Sequence, residues 1–448
     1  MRYLPHTNEE IRKMLAVIGA KDVGDLFSSI PKDHRCNPEL NIPGGISEQE
    51  LWAQMNSIAM KNRTLSCSAS FIGAGAYRHY IPAAVSELAS RSEFTTPYTP
   101  YQPEISQGTL QAMFEYQSQI CRLFDMDVSN ASHYSGATAL ADAALMARRI
   151  SKGRKAIIVP DSVHPEYRRV LESVLCDGDS IRLIPSSCGR VDRAKFAAAL
   201  DGDVAAAVVQ FPNFFGIVED FRDIADSLHK AGALLIAATP EPIAFGILTP
   251  PGSWGADIAA GEGLSLGLPV SFGGPTLGIF TTRDQFTRQM PGRICGKTID
   301  AEGREGYVLT LSTREQHIRR EKATSNICSN QTLCATTAAI YLSMLGKEGI
   351  RELANINAAK ADYLKKTLSA IKGVSIPFEA RTFNEFVFET AKPAAELLAK
   401  LDAQGIIGGV DLGRFYPDTD QMILVCVTEM NTREEMDRYA QVLAQVVR

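Results

Sequence analysis

The spacing of apolar positions changes twice along the chain, and each change predicts a different kind of element. From Thr7 to about Ile30 the positions Ile11, Met14, Leu15 and Ile18 recur at helical spacing, and Thr7-Asn8-Glu9-Glu10 has the form of a capped helix start. Pro31, Pro38 and Pro43-Gly44-Gly45 then break the chain, and a second helix is predicted to begin near Ser47. Residues 1–70 are read as an N-terminal helical arm. From about residue 107 helices and strands alternate. Leu110, Met113, Phe114, Gln117, Ile120, Cys121 and Phe124 form one helical stripe, and Thr138–Arg149 is an alanine-rich helix. The runs Ala156–Pro160, Ile181–Ile184, Val204–Val209, Ala233–Ala237 and Leu277–Phe280 are apolar without alternation, as strands buried on both faces are. This rhythm predicts a large α/β domain over 71–331 with a mostly parallel sheet. From Thr332 a long helix runs toward Gly346, and strands at Glu385–Phe388 and Met422–Val427 mark a small C-terminal α+β domain within 332–448.

Composition removes several functions from consideration. The 448 residues are 45% hydrophobic and 22% charged, which is ordinary globular usage and argues against disorder. The net charge is −5 with no long basic stripe, so a nucleic-acid partner is not expected. No apolar run approaches the roughly 20 residues needed to span a bilayer, and the N-terminus lacks the apolar core of a signal peptide. Nine scattered cysteines with no C-x-x-C pair suit a reducing cytoplasm better than a disulfide framework or a zinc site. No metal site is expected.

Four segments carry candidate chemistry. Phe71–Tyr77 begins like a dinucleotide fingerprint, but Arg78 stands where the third glycine belongs and no strand–turn–helix unit surrounds it. A nucleotide site is therefore rejected there. Residues 97–104 place proline at every third position, the repeat of polyproline II. They form either a rigid linker or a pre-ordered arm that presents Tyr98, Tyr101, Gln102 and Glu104 to a cleft, with Ser106 capping the next helix. Tyr134, Ser135, Gly136 and Thr138 open the alanine-rich helix. A small-residue turn there is either an ordinary helix entry or a phosphate cradle. Arg314–Lys322 is dense in charge of both signs and reads by default as a solvated helix face.

Taken together, FIGAGAYRHYIP at 71–82, YTPYQPEISQG at 98–108, the stretch Tyr116–Met126 and TREQHIRREKATSN at 313–326 resemble the P-protein family of the glycine cleavage system, glycine dehydrogenase (decarboxylating). The opening Tyr3–Ile30 is similar to that family as well, so the resemblance covers essentially the whole chain. The length matches the split form of the family, in which two homologous subunits make one enzyme, and the chain looks like subunit 1.

The resemblance implies a fold-type-I pyridoxal-phosphate (PLP) transferase-like fold, with PLP as cofactor and glycine as substrate. CO2 is released, and the aminomethyl group passes to the lipoyl group of the H-protein. It also implies a cytoplasmic heterotetramer with subunit 2. Active members of the fold use a strand-end Asp and a Schiff-base Lys. Here Ala237 runs into Ala238-Thr239-Pro240 without an Asp, and no lysine occurs between Lys230 and Lys297. The expectation is that PLP sits on subunit 2 and that this chain completes the partner's site through Tyr98, Tyr101, Gln102 and Glu104. Tyr134, Ser135, Gly136 and Thr138 would then be a remnant cradle. The alternatives are a non-catalytic scaffold or regulatory paralogue, and an autonomous PLP enzyme with an unidentified lysine.

Overall fold

The computed structural model describes residues 5–35, 41–65, 67–176, 180–328 and 330–447. Tyr3 and Pro38, used in the sequence reading, lie outside them. Packing divides the chain into two units, Met1–Arg63 and Thr64–Arg448. No described helix is long and apolar enough to cross a membrane.

In the first unit the helix Asn8–Ile18 opens on a complete capping box, in which the Thr7 and Glu10 side chains each accept the other's backbone N–H. It stops well short of Ile30. Gly19 takes a left-handed conformation at φ 80°, which turns the chain out of the helix, and only a short 3-10 turn follows at Val23–Phe27. The second helix, Glu48–Ala59, is capped by Ser47 in the same way as the first.

The second unit is built on a seven-stranded sheet. Its order is Val128–Ser129, Gly278–Thr282, Ile258–Glu262, Leu234–Thr239, Val204–Gln210, Ala156–Pro160 and Ile181–Ile184. Gly278–Thr282 runs antiparallel to both of its neighbours, and the other pairings are parallel. Successive strand residues feed opposite cores. Ile157, Val159 and Ile236 pack with the helix Gly136–Ile150, whereas Ile158, Leu235 and Ala237 pack with Gln107–Phe124. Both faces of the inner strands are covered, so Ala156–Pro160 and Val204–Gln210 are buried along their whole length, while the edge strand Ile181–Ile184 carries Arg182 and is partly exposed. Each large aliphatic side chain buried this way contributes roughly 1.5–3 kcal/mol.

The helix Thr332–Ser369 breaks at Gly346, where φ 59° and ψ −172° leave helical space, and it carries the chain into the C-terminal sheet. That sheet is antiparallel, ordered Val374–Ser375, Glu385–Thr390, Met422–Cys426, Val410–Asp411. A buried ion cluster ties the two sheets together. His79 lies 2.9 Å from Glu241, just past the central strand, and 2.9 Å from Glu429, just past Met422–Cys426. Burial works to lower the His79 pKa, but the two carboxylates outweigh it and raise it to about 10.

Candidate active site and remnant cofactor cradle

The helix Gly136–Ile150 begins at the edge of the strand Ile258–Glu262. Ser135 and Thr138 form a capping box. The Ser135 hydroxyl accepts the Thr138 N–H at 3.3 Å, and the Thr138 hydroxyl accepts the Ser135 N–H at 3.1 Å. The Gly136 N–H donates to Glu262 Oε2 at 2.9 Å. No larger residue fits at Gly136, because a Cβ there would lie 2.3 Å from the Tyr167 hydroxyl and 3.0 Å from Glu262 N. The other Glu262 oxygen accepts the N–H groups of Leu264 at 3.1 Å and Leu277 at 2.9 Å. Burial raises the Glu262 carboxyl, the surrounding backbone amides oppose it, and the net result is about 7.

These residues do not fit a pyridoxal phosphate. The amides that would hold its phosphate already serve Ser135 and Glu262, and the strand Leu234–Thr239 ends on Ala238 and Thr239 rather than a carboxylate. The nearest acid along the chain, Glu241, is committed to His79 and to the Ser265 hydroxyl.

Tyr134 is held at both ends of its residue. Its carbonyl accepts the Thr276 hydroxyl at 2.9 Å, and its phenol accepts the Cys328 N–H at 3.2 Å. Beside it lies a groove of about 840 Å³ between the alanine-rich helix and Gln316–Asn326. Within the groove wall His133 Nε2 lies 3.0 Å from Asp142, which also accepts the Ser325 hydroxyl at 2.7 Å. Because the aspartate sits between histidine and serine, the imidazole does not reach that hydroxyl, and the trio lacks the serine–histidine–aspartate order of a catalytic triad.

The proline-spaced arm is not a continuous polyproline helix: the Tyr101 N–H donates to the Thr99 carbonyl at 2.8 Å and closes a tight turn at Pro100. The proline repeat ends at Pro103, and a turn forms in which Ile105 N donates to the Gln102 carbonyl and Ser106 N to the Pro103 carbonyl. Ser106 stands at the helix start, yet its side chain makes no capping bond, contrary to expectation: at φ −116° and ψ 21° its backbone lacks the extended conformation of a side-chain cap. Tyr98 is 82% exposed and lines a cavity of about 290 Å³ with Asn330, Thr332, Leu333 and Thr336. Tyr101 is half exposed. Its hydroxyl accepts a long bond of 3.4 Å from Arg293, whose guanidinium lies 5.5 Å from the ring centre. Gln102 and Glu104 are exposed.

The charge run does not behave as a solvated face at its start. Arg314 and Glu315 are buried. Arg314 donates to the carbonyls of Leu311, Met290 and Gly292, and Glu315 pairs with Arg293 at 3.3 Å. Carbonyls freed from regular structure recruited the guanidinium, which a charge count cannot show. Glu262, Arg293 and His79 are the site-forming groups that the sequence reading did not single out. A carboxylate ending an apolar run, as in Ile258-Ala-Ala-Gly-Glu262, was the available signal for the first.

A central sheet of this order, with one antiparallel strand beside an edge strand and a small antiparallel domain after a long helix, is the fold of type-I PLP-dependent transferases. A solved structure described as a NifS-like protein shares it at a TM-score of 0.63 and 14% identity, covering 85% of this chain and 99% of that one. The family model for the glycine cleavage system P-protein matches residues 1–443, and the chain belongs to that family. A relative from Desulforamulus reducens, named probable glycine dehydrogenase (decarboxylating) subunit 1, is 49% identical over 441 residues, 98% of each chain. A crystal structure of glycine decarboxylase (P-protein) of the glycine cleavage system, in inhibitor-bound form, superposes at a TM-score of 0.90 with 41% identity and full coverage of both chains.

Proposed function

We propose that this chain is subunit 1 of a heteromeric glycine decarboxylase, the half that carries no PLP of its own. The observation that carries this reading is the lysine-free stretch from Ala231 to Gly296, which contains the strand-to-turn segment where a cofactor-anchoring lysine would stand. The engaged amides at Gly136 and Thr138 support it. PLP would reside on subunit 2 and supply the electron sink for loss of CO2 from glycine. The aminomethyl group would then leave on the lipoyl group of the H-protein. This chain would supply walls of the shared cleft. Tyr98, Tyr101, Gln102 and Glu104 are its proposed contributions, with Arg293 steadying Tyr101.

The proposed assembly is with subunit 2, two copies of each, in the cytoplasm. Phe272, fully exposed in this chain, is one apolar group that such a partner would cover. Borohydride reduction of the assembled complex with PLP, followed by peptide mapping, tests where the cofactor sits. The expected result is a phosphopyridoxyl-lysine on subunit 2 and none on this chain. Stoichiometric label on a lysine of this chain would instead make it an autonomous PLP enzyme.

A further inference from the structure

We infer that Glu262 is a built-in anion that seals the remnant cradle, occupying the positive end of the Gly136–Ile150 helix where a phosphate would otherwise sit. The helix start and the strand end Ile258–Glu262 are in direct contact, so the carboxylate has been brought to the amides by the fold itself. One side chain accepts three backbone N–H groups from three separate segments, Gly136, Leu264 and Leu277, and is only 6% exposed. Its partners are amides rather than a lysine or arginine. Oriented N–H groups and a helix dipole, without a cation, are the means by which helix starts hold phosphate. A buried carboxylate without a cation is costly unless such groups surround it. Burial outweighs these amides and lifts the Glu262 carboxyl to about 7, so the side chain is predominantly an anion only above neutral pH.

Within the same turn the Thr138 N–H is also engaged, by the Ser135 hydroxyl of the capping box. Two phenols, Tyr116 and Tyr167, are fully buried around the carboxylate, and its negative charge adds to the burial that raises both. The Tyr116 hydroxyl finds no hydrogen-bond partner. Restoring a lysine alone would therefore not restore a cofactor site in this chain, because the phosphate position is taken.

The test uses the purified chain alone, with inorganic phosphate and PLP as probes, so its outcome is independent of whether the chain works with subunit 2. Glu262→Ala and Glu262→Ser both remove the internal anion, the serine keeping a polar group at the strand end. Phosphate stabilises many proteins by exclusion from their surfaces, so the reading is the difference between variant and wild type at equal ionic strength. Millimolar phosphate or PLP is expected to raise the melting temperature of a variant saturably, by several degrees more than it raises wild type. The phosphorus resonance should broaden with the variant only. A wild-type chain that binds either probe as tightly as the variants do would overturn the inference, and so would folded variants that bind neither. A variant that fails to fold is refolded in phosphate: recovery supports the assignment, and no recovery overturns it.

Discussion

Replacing His79 with alanine is expected to destabilise the chain by about 3–5 kcal/mol, the usual cost of breaking a buried ion pair by removing one partner. The side chains of His79 and Glu241 are each 2% exposed and that of Glu429 13%, so water cannot take over when the ring is lost. Two carboxylates would then face one another at the junction of the two sheets. The pH dependence identifies the cause. His79 has a folded pKa of about 10, above the ordinary 6.5, so the unfolded chain gives up its proton first as pH rises. The stabilisation is complete below pH 6.5 and is lost as pH climbs through about 10. Glu262 and Glu385, both lifted by burial to about 7, lose their own contributions between the ordinary carboxylate range and pH 7. Above about pH 8 the thiols Cys121 and Cys295, raised by burial to about 11, add a pH dependence of their own, but they do so in both proteins, so the difference between wild type and variant reports on His79. Urea unfolding of wild type and His79→Ala should give curves that converge as pH rises from about 8 to 10. Curves that coincide at every pH, or diverge, would remove His79 from the role assigned here.

The second large effect concerns the arm. Tyr101→Phe is expected to slow glycine–CO2 exchange by the reconstituted pair by about 10² or less, at or below the lower end of the roughly 10²–10³ range for loss of one positioned donor. Proline fixes φ at positions 97, 100 and 103, and the Tyr101 N–H bond to the Thr99 carbonyl pins a turn at Pro100, so part of the arm's ordering entropy is already lost before any ligand arrives. Arg293, buried and paired with Glu315, gives the Tyr101 hydroxyl its contact within the chain. Assembly with subunit 2 should survive, since one hydroxyl is a small part of a large interface. If Tyr98→Phe and Tyr101→Phe both leave exchange unchanged while Pro100→Gly lowers stability, the arm is a linker and its four residues leave the proposed site.

How much of this was legible in the sequence follows from the range of the interactions involved. Ala156–Pro160 and Ile181–Ile184 form strands with the predicted bounds; the first is apolar and buried on both faces, and the second, at the sheet edge, tolerates Arg182 and partial exposure. Ile258–Glu262 was missed. Gly261 packs against Phe124 and the Thr239 carbonyl, leaving no room for a side chain, so one of the most buried strands carries a weak strand signal. The capped helix starts at Thr7 and Ser47 were readable because a capping box spans three residues. The His79 cluster was not, since its partners lie 162 and 350 positions away along the chain. Glu262 lies inside the lysine-free stretch between Lys230 and Lys297, but nothing local marks its role. Its role rests on an amide 126 positions earlier.

Glycine–CO2 exchange, measured with labelled bicarbonate for this chain alone, for subunit 2 alone and for the mixture with PLP and lipoylated H-protein, tests the central claim most directly. Exchange is predicted only in the mixture, rising with added chain until the subunits are equimolar. Full exchange by subunit 2 alone, unchanged when this chain is added, would contradict the claim that this chain completes the active site.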